Sequence, residues 1–131
     1  MNDEIINEYY SIIKSKITEG RFESALSSID KLLYNFPNNA NAYYYFGVCH
    51  FALNKYDKAE TGYSKAINLD ITHAKAYFNL GVLYYVQDKL DNALINIAKA
   101  LILFSKSKEK DCRKRCIQAI NYIQNERKLT E

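Results

Sequence analysis

Asn54-Lys55-Tyr56-Asp57-Lys58-Ala59 and Asp88-Lys89-Leu90-Asp91-Asn92-Ala93 stand 34 residues apart and carry the same instruction. In each, a helix-breaking residue closes one helix and a lysine occupies the turn. An apolar residue then anchors the corner, and an aspartate enters the first turn of the next helix, where the dipole favours it. A third version lies 34 residues earlier, Gly20-Arg21-Phe22-Glu23-Ser24-Ala25. Residues 40–73 laid on 74–107 match identically at 11 of 34 positions, where average composition gives about 2 by chance. The period predicts one helical hairpin per repeat, over residues 6–39, 40–73 and 74–107.

Within the first helix of the middle repeat, Tyr43, Phe46, Gly47 and His50 fall on one face. A mid-helix glycine costs about 1 kcal/mol relative to alanine. Gly47, and Gly81 at the same register, therefore predict a second helix passing too close for a side chain. Ala59, Tyr63 and Ala66 form the complementary face of that second helix.

These residues resemble the tetratricopeptide repeat family, whose period is 34. The third repeat carries Tyr77 at the family's Trp position, then Leu80-Gly81, Tyr84, Ala93, Ile97 and Ala100; the middle one has Phe46, His50, Gly47, Ala59 and Ala66. The first is degenerate, keeping Tyr9, Ala25 and Pro37, with Ile12-Ile13 for Leu-Gly and Lys16 for Tyr. Terminal repeats in such arrays are commonly atypical. The resemblance covers residues 6–107. Beyond it, residues 108–128 read as a capping helix, with Cys112, Cys116, Ala119, Ile120 and Ile123 on one stripe and Arg113, Lys114, Arg115, Gln118 and Asn121 outside it. The resemblance implies an all-α chain, one domain over residues 1–131. It would be a right-handed superhelix of three antiparallel helix pairs plus a cap, seven helices in all.

In this family the first helix of each repeat lines the concave surface. A second stripe, rotated from the packing face, places Tyr44, Val48 and Phe51 there in the middle repeat, Phe78, Val82 and Tyr85 in the third, and Tyr10, Lys14 and Ile17 in the first. With Asn41, Tyr45, Lys75 and Asn79 these predict an apolar groove for a helix or extended segment of a partner protein. Some relatives grip a peptide's terminal carboxylate with Lys, Asn and Arg side chains. Here Lys75 alone fits that pattern, Tyr10, Lys14, Tyr45 and Asn79 standing where Lys, Asn, Asn and Arg would be wanted. A module that binds protein segments, as adaptor or chaperone, is the reading that follows. The alternatives are a self-assembling structural protein that pairs through the same stripe, and nucleic-acid binding through the basic C-terminal helix.

Charge bears on the last alternative. The chain of 131 residues has net charge +3. Residues 1–105 hold 10 Lys+Arg against 11 Asp+Glu, and residues 106–131 hold 8 against 4. Glu109 and Asp111 interrupt the basic run and only Tyr122 follows for stacking, so a solvated cap suits it better than nucleic acid, and an acidic protein partner docking beside the groove stands level with nucleic acid.

Composition narrows the chemistry. Hydrophobic residues at 48% and charged ones at 25% describe a globular chain, and one proline with four glycines leaves few turns for a β-sandwich. No phosphate loop, Ser/His/Asp set or HExxH occurs, so neither an enzyme nor a cofactor is expected. Cys112 and Cys116 share a helical face, but Cys49, His50 and His73 lack the spacing to complete a zinc site; the thiols are expected to pack in the core. Three cysteines, no basic leader before an apolar stretch, and a longest apolar run of only Tyr43 to Leu53 lead to an expected cytoplasmic location without a membrane span.

Overall fold

A computed structural model describes residues 1–130, and Glu131, the last residue of the expected domain, lies outside them. Among the described residues there are seven α-helices and no strand: α1 (Asn2–Thr18), α2 (Phe22–Asn35), α3 (Ala40–Ala52), α4 (Tyr56–Leu69), α5 (Ala74–Val86), α6 (Leu90–Ser105) and α7 (Lys110–Thr130). They form two compact units, one from Met1 to Leu69 and one from Asp70 onward. In the first, α1 packs on α2, α2 on α3 and α3 on α4; in the second, α5 packs on α6 and α6 on α7.

The recurring phrase does what its chemistry dictates. Gly20, Asn54 and Asp88 have φ of 75°, 61° and 62°, the left-handed conformation that ends a helix. At the second corner the Asn54 N–H donates to the Phe51 carbonyl at 3.0 Å and the Lys55 N–H to the His50 carbonyl at 2.8 Å. The same pair recurs as Asp88 to Tyr85 and Lys89 to Tyr84, and as Gly20 to Ile17 and Arg21 to Lys16. Carbonyls orphaned by the helix end are thereby satisfied, and short loops make each helix pair antiparallel neighbours.

Glycine lets the pairs close. A Cβ at Gly47 would stand 2.6 Å from the Tyr63 ring, and one at Gly81 2.5 Å from Ile97 Cγ1. In the first pair the equivalent position is Ile13, fully buried, and α1 meets α2 less closely than α3 meets α4. Lys16, at the family's tyrosine position, turns its ammonium to Ser28 Oγ at 2.8 Å. The repeated Lys65 and Lys99 each cover a repeated ring, Tyr43 and Tyr77, at 5.8 Å from its centroid. Ile13, Ala25, Ile29, Leu32, Ala42 and Cys49 make the core of the first unit, and Ala93, Ile97, Ala100, Phe104, Cys116 and Ile123 that of the second.

The capping helix runs two residues later at each end than the sequence predicts. Ser107 explains the start: its N–H closes a turn on Phe104, and its Oγ accepts from the Glu109 N–H at 3.2 Å, holding the chain in a turn until Lys110.

Helix starts also repeat. Asn39 caps α3 by accepting from the Ala42 N–H at 2.9 Å; 34 residues on, His73 caps α5, its Nδ1 accepting from the Ala76 N–H at 3.1 Å. Only neutral imidazole can accept there. Burial holds the His73 pKa below its ordinary value, Lys75 adding to the shift and Asp70 opposing it. His50 is also lowered, by burial and then by Lys58 and Lys55, against Asp30. Both histidines are thus less basic folded than unfolded. The stability they carry is fully present above the unfolded pKa of about 6.5 and is lost as pH falls through the folded values. Urea denaturation at a series of pH values is expected to show stability level above pH ~7 and declining below ~6.5. His73→Asn, which keeps a capping acceptor, is expected to reduce that slope; an unchanged slope would refute the assignment.

Candidate functional site

The predicted binding residues fall into two sets, one in each unit. In the first, an aromatic ladder runs from α1 across α3 and ends on Tyr63 of α4. Tyr10 and Tyr45 lie 5.8 Å apart between ring centroids, Tyr45 and Tyr44 5.4 Å, and Tyr44 and Tyr63 6.1 Å, all tilted. Such rings favour offset or edge contacts within about 7 Å. Tyr10 is fixed by polar contacts: its hydroxyl donates to Asn39 Oδ1 at 2.9 Å and accepts from Asn41 Nδ2 at 3.3 Å. Burial pushes the Tyr45 hydroxyl up to about 12, with Tyr44 and Tyr10 adding to it. Val48 and Phe51 are half-buried, Phe51 lying 5.5 Å from the Tyr56 ring, while Lys14 is exposed.

In the second unit the same register gives a different surface. Phe78, packed against the core, and Asn79 are half-buried, and Lys75 is exposed. Val82 and Tyr85 form the wall of a cleft of about 370 Å³, completed by Ile97 and by Gln118, Ala119, Tyr122 and Ile123 of α7. Tyr85 packs edge-on against Tyr122 at 5.9 Å and donates its hydroxyl to Glu126 Oε1 at 2.8 Å. Hydrogen bonding with Tyr122 and then Glu126 raises its pKa above the phenol range. Tyr85, expected as an open anchor, is thus tied to the capping helix, and Val82 lines a cleft. Repeat logic passed over the α7 side of this cleft because the period stops at residue 107. The signal present was the apolar stripe that includes Ala119 and Ile123, which must close on the last repeat.

Cys49 and Cys116 are buried core thiols, and Cys112 is half-buried against the cluster that holds Cys116. Burial pushes Cys49 and Cys116 up to about 11, Cys112 adding to the shift at Cys116, so both are protonated at neutral pH and are poor nucleophiles or ligands. Among the described residues no group of three or more His, Cys, Asp or Glu is placed to hold a metal ion, and no helix is long and apolar enough to cross a membrane.

Two family models match the chain, one described as TPR repeat over residues 47–88 and one as tetratricopeptide repeat over residues 29–61. No curated protein matches the sequence. Among solved structures, the type III secretion translocator chaperone SycD of Yersinia enterocolitica is similar over 98% of this chain and 89% of that one, with TM-score 0.87 and 19% identity. PcrH from Pseudomonas aeruginosa is similar over 95% of each chain, with TM-score 0.85 and 17% identity. The TPR2B domain of yeast Sti1 in its pHsp70 complex covers 92% of this chain and 96% of that one, at TM-score 0.83 and 16% identity. At these identities the likeness speaks for the fold. Repeat phasing, helix order and family models agree that residues 29–88 carry tetratricopeptide repeats.

Proposed function

We propose that this chain is a non-enzymatic, cytoplasmic interaction module, adaptor or chaperone in kind. It would bind a segment of a partner protein against the apolar first-helix faces bearing Tyr44, Val48, Phe51, Phe78 and Val82. The observation that carries the reading is that α3 and α5 are apolar almost all round, so that packing one face leaves these five side chains only half-buried. Similar proteins support it in kind: one structure holds PcrH with the chaperone binding region of PopD, another the first TPR of Spaghetti with an HSP90 peptide. A terminal-carboxylate clamp does not suit this chain, because Tyr10 and Tyr45 occupy places that would need charge or an amide.

The test is Val48→Glu and Phe78→Glu, singly and together, with circular dichroism as the check on folding. A charge forced into an apolar contact is expected to weaken partner capture by roughly a hundredfold without loss of helicity. Retention of the partner by a folded double variant would refute this surface. Self-pairing through the same stripe is favoured by the second dimer form described for SycD. That reading requires a mass that rises with concentration and returns to monomer in Val48→Glu.

A further inference from the structure

Two further surfaces, one on α1 and one on α7, complement one another. On α1, Glu4, Ile5, Glu8 and Ile12 share a stripe about 100° wide, and all four are exposed, Ile5 at 46% and Ile12 at 48%. No cation lies on that stripe between residues 2 and 14. On α7 the reverse charge occurs. Residues 106–115 hold six Lys or Arg against Glu109 and Asp111. Among the described residues the ion pairs are Arg21–Glu19 and Arg127–Asp91, so none of these six cations is in one, and neither are Glu4 and Glu8.

Helix α7 carries more cations near its start than the other six helices do. A helix N-terminus favours carboxylates, and α1, α2, α4 and α6 carry Asp3 and Glu4, Glu23, Asp57 and Asp91 in their first turns. Helix α7 begins with one acid, Asp111, among Lys110, Arg113, Lys114 and Arg115. An anionic surface laid over these cations would relieve their mutual repulsion.

Register ties the cations to the cleft. Lys114, Gln118 and Tyr122 follow at i, i+4 and i+8, and so do Arg115, Ala119 and Ile123. Each column opens with a cation and ends on residues that line the 370 Å³ apolar cleft. On α1 the order is the same: Glu4 and Glu8 come first and Ile12 follows one and two turns later. Both stripes span eight residue steps, roughly 12 Å at 1.5 Å per residue.

We propose that the α7 cleft is a docking site for α1 of a second copy of this chain. Ile12 enters beside Tyr122 and Ala119, and Glu8 and Glu4 lie against Arg115 and Lys114. The contact joins unlike surfaces, so each copy keeps one donor and one acceptor face, and the assembly grows head to tail or closes into a ring. Nucleic acid fits the same cations less well, because Tyr122 is the one exposed aromatic side chain on this face. The cleft shares Val82 with the first-helix surface proposed above, while the charged residues on α1 and α7 lie outside that surface.

Sedimentation velocity of the full chain is the test, from about 10 µM to 1 mM at 50 mM and 500 mM NaCl. An interface of one helix stripe is small, so weak association is expected, and it should fall at least about fivefold at high salt as the Debye length shortens. Lys114→Glu with Arg115→Glu is expected to be monomeric, and so is Glu4→Lys with Glu8→Lys. Mixing the two variants joins the native acidic α1 of one to the native basic α7 of the other, and at the second junction sets the reversed basic α1 against the reversed acidic α7, so opposite charges meet at both and alternating assemblies are expected to grow. A wild-type monomer throughout, assembly unchanged in both variants, or variants that remain monomeric when mixed would each overturn the proposal. Assembly abolished by Val48→Glu but not by the charge reversals would overturn it in favour of pairing through the first-helix stripe. Retention of an oligo-dT strand by Lys114 and Arg115 without self-association would do so in favour of nucleic acid.

Discussion

Ile97→Ala is expected to lower the unfolding free energy by about 2–5 kcal/mol, the cost of truncating a fully buried aliphatic side chain and leaving a cavity. Ile97 is fully buried on α6, packs with Ala93, Ala100 and Phe104, and forms part of the cleft wall. Its distinctive partner is Gly81, whose backbone approaches so closely that an added Cβ would lie 2.5 Å from Ile97 Cγ1 and 3.1 Å from the Ala93 carbonyl. Gly81→Ala alone is therefore expected to destabilise, the clash of about 1–3 kcal/mol outweighing the gain of about 1 kcal/mol in helix propensity. In the Ile97→Ala background the methyl group enters space that the first change vacated, and its cost should shrink or reverse. The double-mutant cycle, read by urea denaturation, is expected to give a coupling energy of at least about 1 kcal/mol. Additive effects would mean that helix separation is set elsewhere.

The glycine crossings were legible because they recur. A mid-helix glycine at 47 and again at 81 has a cost that only close packing offsets, and the facing residues at 63 and 97 could be named from the period alone. Tyr43 with Lys65 and Tyr77 with Lys99 recur for the same physical reason, a lysine ammonium lying over a ring. What the period could not supply is whatever occurs once. Lys16 stands at a tyrosine position and solves its burial by reaching Ser28, where the next repeat has His50 and Gly62, a residue with no side chain. His73 replaces Asn39 as a helix cap, and the residue type gives no hint that an imidazole takes this part.

The candidate binding surface shows the same division. Tyr44, Val48 and Phe51 were placed by phase, and their half-burial accords with that phase. Tyr85 was placed by the same phase but is held by Tyr122 and Glu126, because a capping helix packs by its own stripe and answers to no repeat. Phase gives the face of a helix; what covers that face depends on the next element in the chain. The last repeat is therefore where a reading by period loses its grip, and it is also where the structure carries its apolar cleft.

Gly62→Leu is expected to cost more than about 3 kcal/mol, whereas Asn96→Leu, at the same position one repeat later, should stay within about 0.5 kcal/mol. The contrast is set by what lies opposite. A Cβ at Gly62 would stand 2.8 Å from the Gly47 N, from the Tyr43 carbonyl and from the Phe46 ring, and two of those three are backbone atoms that cannot turn aside. Helix α4 thus rests directly on α3, which lets the large Tyr63 ring lie over Gly47 while remaining 2% exposed. In the next repeat Asn96 turns its amide back to the Asn92 carbonyl at 2.8 Å, and the smaller Ile97 fills the crossing. A bulkier residue at that crossing thus goes with a glycine beside it, and a smaller one leaves the neighbouring position open to a side chain. If Gly62→Leu and Asn96→Leu shift the urea midpoint alike, the pairing of Gly62 with Tyr63 is not what sets the spacing of α3 and α4.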